Sequence, residues 1–444
     1  MVMPRTDNKR SAHLDNCKGI LILFVVWYHS LVVYYDPDLT SIPGLTGVET
    51  ILLLLVMPGF SLLSGFLSSS NLNAKRQDNL FSTGAAFVIF QIINWMMGIF
   101  NTIGLDAFLS ASSNSSKSSN TSSSSNNTIQ YPIPIFFPTV MSHIPDTKAL
   151  PVTWFLLALL FWRILTPLII RLKHPIATSF VLGMLGLVTD LGFGSQNIIA
   201  FLPWYVIGVA ARHTKQGQTI WQEKIVLRSN FIVTFLLIVL PFICCITISI
   251  FIPTWWNNTI GYFISHGYSC LYGLPPSATA NSCTSLYSWG TRCLFYLFSI
   301  PIIVGFLRIV PNEKIAVLTK SGINSIAIYL FHPILLFNIV TLIVVSKSLD
   351  IITDGKGAVK LNGAPPYQGS VSFILITLVG VSVFMVLSLD CWRCCCWICL
   401  RPPVVNGLII KRIEQMENVI EDGKNEDGTE GSTSINGGLK TPLL

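Results

Sequence analysis

Apolar runs of about 20 residues recur along this chain, and their length constrains the fold more than any other feature. A helix needs about that many residues to cross a hydrocarbon core of roughly 30 Å. Only 11% of the 444 residues are charged, so most of the chain cannot face water. We therefore predict an all-α, polytopic membrane protein of about ten transmembrane helices. The predicted spans are residues 17–35, 46–68, 82–104, 150–170, 175–192, 197–211, 229–253, 288–309, 323–346 and 370–390.

The distribution of Lys and Arg orients these spans, because cytoplasmic loops retain positive charge. With the N-terminus in the cytoplasm, 21 of the 28 Lys and Arg residues fall on inside segments and span mouths. Six fall on outside segments and mouths, and Arg163 lies within a span. This asymmetry favours the chosen topology over its inverse and places both termini in the cytoplasm.

The spans divide the chain into three predicted parts. Residues 1–14 form a cytoplasmic N-terminal segment, and residues 15–390 form the transmembrane domain. Residues 391–444 form a Cys-rich juxtamembrane segment and a disordered cytoplasmic tail. Within the domain, residues 105–149 form a Ser/Asn-rich low-complexity loop on the lumenal or extracellular side.

Two outside loops carry Asn-X-Ser/Thr sequons, and their side agrees with the charge rule. The sequons are Asn114, Asn120, Asn126 and Asn257. Together with the topology they indicate a eukaryotic secretory-pathway membrane, such as the Golgi, the ER or the plasma membrane.

The cysteines divide by compartment. Cys270 and Cys283 fall in a long outside loop, where oxidising conditions allow a disulfide, but the sequence leaves their pairing open. The CWRCCCWIC cluster at 391–399 lies just inside the last span. Because no His or carboxylate frames it at finger spacing, palmitoylation is favoured over metal binding, and no metal is expected.

The first span, within LDNCKGILILFVVWYHS, combines three ionisable side chains. Lys18 and His29 are eleven residues apart, so on a helix they share one face roughly 16 Å apart along the axis. Asp15 lies one turn before Lys18 at the cytoplasmic mouth. An ionisable group inside a membrane is costly and indicates function. A structural role for His29 and a snorkelling role for Lys18 remain alternatives.

Two further ionisable residues lie within predicted spans. His332 comes twelve residues after the inside Lys320, which places it at a depth similar to that of His29. Pro333 follows it and frees a backbone carbonyl, so a structural role for His332 is an equal alternative. Arg163 can instead be a long side chain that reaches the cytoplasmic interface.

Five motifs occur in a specific order: LDNCKGILILFVVWYHS, MPGFSLLSGFLSS, LPVTWFLLALLFWRIL, LPWYVIGVAAR and SGINSIAIYLFHPILL. In order and spacing the chain resembles the membrane acyltransferase-3 family from about Asp15 to about Leu389, especially its branch similar to fucose 4-O-acetyltransferases. Lys18 and His29 match the basic residue and histidine of that family's first helix, and Asp15, Lys18 and Gly19 match the DxxKG pattern of the branch. The arginines that many members carry after the SGF motif are replaced by LSSSNLNAKR.

The resemblance implies transfer of an acyl group, commonly acetyl from acetyl-CoA, to a hydroxyl of a glycan or similar acceptor beyond the membrane. We expect His29, Lys18 and Asp15 to form the catalytic set. His29 acts as the base or as a transient acyl carrier, and Lys18 attracts the CoA phosphates. Further candidates are Lys75 and Arg163 for the donor, and Ser64, Trp154, Asn324 and His332 for the site.

The expected partners are acyl-CoA, a hydroxyl-bearing acceptor and the lipid bilayer, with no nucleic acid. The sequence does not predict the oligomeric state.

A proton-coupled multi-pass transporter is the main alternative, because it would also use intramembrane His and Arg residues. The two halves of the chain show no convincing internal repeat, which disfavours a carrier. The fifth and sixth predicted spans are short and interrupted by Gly and Pro, which keeps this interpretation open. A third possibility is an inactive receptor or scaffold, against which the intact His29 argues.

Overall fold

A computed structural model describes residues 11–34, 45–68, 80–93, 154–185, 195–221, 231–258, 286–345, 351–353, 359–361 and 366–389. Helices dominate these residues. They are α1 (Ala12–Tyr34), α2 (Leu45–Phe66), α3 (Leu80–Ile93), α4 (Trp154–Ile169), α5 (Pro175–Leu185), α6 (Ser195–Ala200), α7 (Leu202–His213), α8 (Lys215–Thr219), α9 (Phe231–Thr234), α10 (Leu240–Phe251), α11 (Pro253–Asn258), α12 (Leu286–Ile309), α13 (Ala316–Ile323), α14 (Ser325–Val345) and α15 (Pro366–Leu387). A π-helical segment, Phe235–Val239, joins α9 to α10.

Each of the ten predicted spans overlaps one or more of these helices. Three helical segments in the described part of the chain are long and apolar enough to cross a membrane: Thr46–Phe66, Ile232–Phe251 and Trp289–Ile309. The expectation of a mostly helical membrane protein is confirmed, while the number of spans and the side of each terminus remain predictions. The sixth predicted span differs from a single helix, because it is divided between α6 and α7.

The described residues also contain a short antiparallel β-hairpin, which the all-α prediction did not include. Strand β1 (Ile351–Thr353) pairs with β2 (Val359–Leu361), with Ile351 opposite Leu361. The Ser/Asn-rich loop, Cys270 and Cys283, and the CWRCCCWIC cluster lie outside the described residues.

Helix α1 packs most extensively against α13, at a crossing without intervening side chains. A Cβ atom on Gly19 would collide with the backbone carbonyl of Leu318, and one on Gly322 would collide with that of Asp15. Small residues let helix backbones approach this closely within a membrane. The glycine of the DxxKG pattern is therefore required for packing.

Helices α2 and α7 meet in the same way. A Cβ on Gly65 would collide with the Tyr205 carbonyl, and a Cβ on Gly208 would collide with the Leu62 carbonyl. The glycines of the SGF and LPWYVIG motifs therefore bring these two helices into backbone contact.

A hydrogen-bond network fixes the first turn of α1. The buried Asn16 side chain donates to the carbonyls of Pro311 (3.0 Å) and Glu313 (2.7 Å) and accepts from the Thr319 hydroxyl (2.6 Å). His13 Nε2 donates to the Leu307 carbonyl over 2.9 Å, and burial lowers the pKa of this imidazole despite that bond. The mouth of α1 is thus tied to the end of α12 and the start of α13.

The glycine crossing can be tested with Gly322→Ala. We expect the added methyl group to separate α1 from α13 and to cost about 1–3 kcal/mol through overpacking. The measurement is the thermal unfolding midpoint of the purified chain in detergent. Gly290→Ala is the matched control, because among the described residues no atom beyond its own helical turn lies within 4 Å of its added Cβ, and it should leave the midpoint unchanged or raised. Equal midpoints for the two variants would contradict the crossing.

The predicted topology can be tested through the sequons of the 105–149 loop. If this loop is lumenal, expression in eukaryotic cells should add glycans that a peptide N-glycosidase removes with a gain in gel mobility. Changing Asn114, Asn120 and Asn126 together to Gln should reduce that gain, and changing Asn257 to Gln as well should abolish it. Persistent absence of N-glycans on the unchanged chain would favour the inverse topology.

Candidate active site

One continuous helix carries the three ionisable residues predicted for the site, since α1 runs from Ala12 to Tyr34. Lys18 Nζ lies 2.8 Å from Asp15 Oδ1, and these side chains are 14% and 4% exposed. A charge this deeply buried is stable only when it is paired. The ion pair therefore holds the Lys18 ammonium at the mouth of the helix.

The second histidine comes from α14. The ring centroids of His29 and His332 are 5.1 Å apart with 44° between the ring planes. His332 is fully buried, whereas His29 retains partial exposure. The structure thus brings together the two histidines that the sequence placed at similar depth.

The hydrogen bonding of His332 defines which of its nitrogens is protonated in the neutral ring. Its Nδ1 lies 3.1 Å from the carbonyl oxygen of Ile328, one turn earlier on α14. A carbonyl can only accept, so Nδ1 carries the hydrogen and Nε2 is a bare acceptor. Within the described parts of the chain this Nε2 atom has no hydrogen-bond partner.

Aromatic rings surround the histidine pair. Tyr28 meets His29 edge-on at 5.7 Å between ring centroids, and Tyr329 lies 6.1 Å from His332. Phe155 contacts Tyr329 at 5.7 Å. These rings make the surroundings of the pair largely apolar.

Trp154 is connected to the pair through this aromatic cluster. It lies 5.7 Å from Phe155 and 5.5 Å from Phe201 between ring centroids, and it is buried. The structure therefore places this candidate in the packing behind the histidines.

Arg163 takes part in the contact between α3 and α4. It follows Trp154 by nine residues, which is roughly 13.5 Å along α4. Its Nη1 donates to the Thr83 hydroxyl on α3 over 3.1 Å. This contact joins α3 to α4.

The remaining candidates occupy helix ends or lie outside the described residues. The backbone carbonyl of Ser64 accepts from the Ser68 hydroxyl over 3.0 Å, and Ser64 itself is half-buried. Asn324 ends α13, and its backbone N–H donates to the Lys320 carbonyl over 3.1 Å. Lys75 falls outside the described ranges.

Basic side chains reach the end of the SGF motif from a later part of the sequence. Arg212 donates to the Phe66 carbonyl over 3.1 Å, and His213 donates through Nε2 to the Ser68 carbonyl over 3.0 Å. Cationic groups stabilise the C-terminal end of a helix, here the end of α2. The sequence offered no signal for this contact, because the LPWYVIGVAAR motif is far from SGF along the chain.

Sequence reasoning also passed over two buried polar residues. Arg292 lies within the eighth predicted span, is fully buried, and donates through Nη1 to the Gly183 carbonyl over 2.9 Å. Its position several residues into the apolar run of α12 was the available signal. The Tyr205 hydroxyl lies 2.6 Å from the hydroxyls of both Ser68 and Thr166, so it links α7 to α2 and α4.

Comparison with protein families identifies the family of the chain. The family model described as an acyltransferase domain, acyltransferase 3, matches residues 11–393. This match includes α1, α14 and every candidate residue named above. The chain belongs to the acyltransferase-3 family of membrane acyltransferases. The comparison with curated proteins returned no match, and the comparison with solved structures returned none either.

The Asp15–Lys18 pair can be tested by removing one partner and then both. Lys18→Met leaves a buried carboxylate without its ammonium and should destabilise the fold by about 3 kcal/mol. Adding Asp15→Asn should recover part of that loss, because the double variant buries no charge at this position. The measurement is the thermal unfolding midpoint in detergent. A double variant that is less stable than Lys18→Met would contradict the expected coupling.

Proposed function

We propose that this protein is an integral-membrane O-acyltransferase that moves an acetyl group from acetyl-CoA to a hydroxyl of a glycan or other lumenal or extracellular acceptor. The observation that carries the proposal is the partly exposed His29 on α1 of an acyltransferase-3 chain, beside a second imidazole. Imidazole titrates near neutral pH, so it can accept and return a proton in one reaction.

In the proposed reaction His29 accepts one proton and later returns it. His29 takes the proton from the acceptor hydroxyl while the hydroxyl oxygen attacks the thioester carbonyl. The carbon–sulfur bond then breaks, and the imidazolium returns its proton to the CoA thiolate. In a two-step variant of the same reaction, a nitrogen of His29 attacks the thioester and the C–S bond breaks, so that CoA leaves as the thiol with the proton of the imidazole. The acceptor hydroxyl then attacks the acyl-imidazole, and its proton returns to His29 as the acyl–nitrogen bond breaks.

The position of Lys18 suits the charged part of the donor. It lies eleven residues before His29, roughly 16 Å along α1. A CoA whose phosphates stay near Lys18 at the mouth can extend its long pantetheine arm along the helix toward His29. Asp15 fixes the ammonium in place through the 2.8 Å ion pair. Arg212, exposed at the end of α7, can add a second positive charge on the cytoplasmic side.

The depth of His29 suits the acceptor. A donor from the cytoplasm and an acceptor from the lumen must meet between the two faces of the membrane, where an apolar helix carries this histidine. The predicted topology and the sequons support a secretory-pathway membrane of a eukaryote, such as the Golgi, ER or plasma membrane. The resemblance to fucose 4-O-acetyltransferases supports a sugar hydroxyl as the acceptor.

The proposal can be tested with His29→Ala. Loss of the base should lower acetyl transfer by a factor of about 10²–10⁴ with no change in membrane expression. Transfer is measured as incorporation of tritiated acetyl from acetyl-CoA into glycans and lipids of isolated membranes. Ser30→Ala is the matched control, because this neighbouring hydroxyl donates to the Trp27 carbonyl of its own helix. Full transfer by His29→Ala would overturn the catalytic role.

Knockout cells separate this function from a transporter. Mass spectrometry of their glycans and lipids should show missing acetyl groups that the unchanged protein restores. Lost solute uptake without any lost acyl group would instead support a proton-coupled carrier.

A further inference from the structure

The buried Nε2 atom of His332 is an acceptor that lacks a donor. Its hydrogen is on Nδ1, which is engaged by the Ile328 carbonyl at 3.1 Å. Leaving a buried acceptor unsatisfied costs about 1–3 kcal/mol. Among the described residues seven buried side-chain polar atoms have no hydrogen-bond partner, and this one lies beside another imidazole, with 5.1 Å between the ring centroids.

His29 is the adjacent ring that can supply an N–H. The two ring centroids are 5.1 Å apart, and each nitrogen lies about 1 Å from its centroid, so facing nitrogens would be about 3 Å apart. That separation is a hydrogen-bond distance. Hydrogen bonds between catalytic groups are often misaligned before the substrate binds, and rotation of the partly exposed His29 ring would align this one.

We propose that His332 is a positioning residue whose Nε2 accepts a hydrogen bond from His29. This proposal rests on the proposed acyl transfer and adds the residue that orients its base. With one nitrogen of His29 donating to His332, the other nitrogen is bare and available to the acceptor hydroxyl. A base that is oriented by a third group is the general arrangement for activating a hydroxyl.

The histidine pair also gives each N–H of the His29 imidazolium a partner. When His29 takes the hydroxyl proton, it becomes an imidazolium with an N–H on each nitrogen. One N–H of His29 continues to donate to His332 Nε2. The proton of the other N–H passes to the CoA thiolate as the carbon–sulfur bond breaks. His332 itself gains no proton, and its Nδ1–H continues to donate to the Ile328 carbonyl.

The hydrogen bond can be observed independently of activity. The chain contains only seven histidines, so nitrogen-15 histidine labelling in proteoliposomes allows solid-state NMR assignment by single substitutions. We expect His332 to show a protonated Nδ1 and a bare, hydrogen-bonded Nε2. In His29→Leu the Nε2 resonance should move downfield to the position of an unbonded nitrogen. In Tyr329→Phe, which keeps the ring and removes the neighbouring hydroxyl, it should stay in place.

Kinetics with tritiated acetyl-CoA and isolated membranes provide the second measurement. His332→Leu should lower kcat about a hundredfold through misorientation of the base, with the KM for acetyl-CoA unchanged. His332→Gln should remain within about tenfold of the unchanged protein, because the amide oxygen can still accept from His29. His174→Gln, at an exposed histidine between α4 and α5, is the control for replacing another histidine, and it should leave kcat unchanged. Size-exclusion profiles in detergent establish that each variant folds.

The outcomes of these experiments distinguish the positioning role of His332 from the proposed acyl transfer on which it rests. Full kcat in His332→Leu together with loss of transfer in His29→Ala overturns the positioning role and leaves the acyltransferase intact. An Nε2 resonance that responds to Tyr329→Phe and not to His29→Leu also overturns it. Full transfer in His29→Ala removes the proposed function itself. A kcat loss restored by Gln, with an Nε2 resonance that responds to His29, supports the pair.

Discussion

The backbone contact between α1 and α13 is the constraint on which the rest of the site depends. Gly19 and Gly322 remove two Cβ atoms from the crossing, and each would otherwise meet a carbonyl of the other helix. Within a lipid environment such close packing is a main source of helix association. Because α1 carries both the ion pair and His29, its position relative to α13 also sets where the chemistry can occur.

Polar contacts at the mouth of α1 complement this packing. Asn16 makes two hydrogen bonds with the segment between α12 and α13 and one with Thr319 of α13, and Asp15 neutralises Lys18. Buried polar groups are stable only when they are satisfied in this way. The same turn of helix thus anchors the fold and holds the Lys18 ammonium in place. Under the proposed function this turn would also bind the donor, so its variants need measurements of both stability and donor binding.

The histidine pair differs from the mouth of α1 in how its polar atoms are hydrogen-bonded. The amide nitrogen and oxygen of Asn16 are both satisfied, whereas the buried Nε2 of His332 has no donor among the residues described. Aromatic rings from α1, α4 and α14 enclose the pair and reduce its access to water. A proton transfer between groups in such surroundings depends strongly on their orientation, which is why an orienting partner for His29 matters.

The sequence by itself determined the helical membrane class, the approximate position of each helix and the face shared by Asp15, Lys18 and His29. These follow from run length and from the 3.6-residue helical period, both of which are local properties. Only the tertiary structure decided that His332 meets His29, that Arg212 reaches the end of the SGF motif and that Arg292 is buried. Those contacts join helices far apart in the chain, and they depend on which glycines let two backbones touch, so no local pattern could specify them.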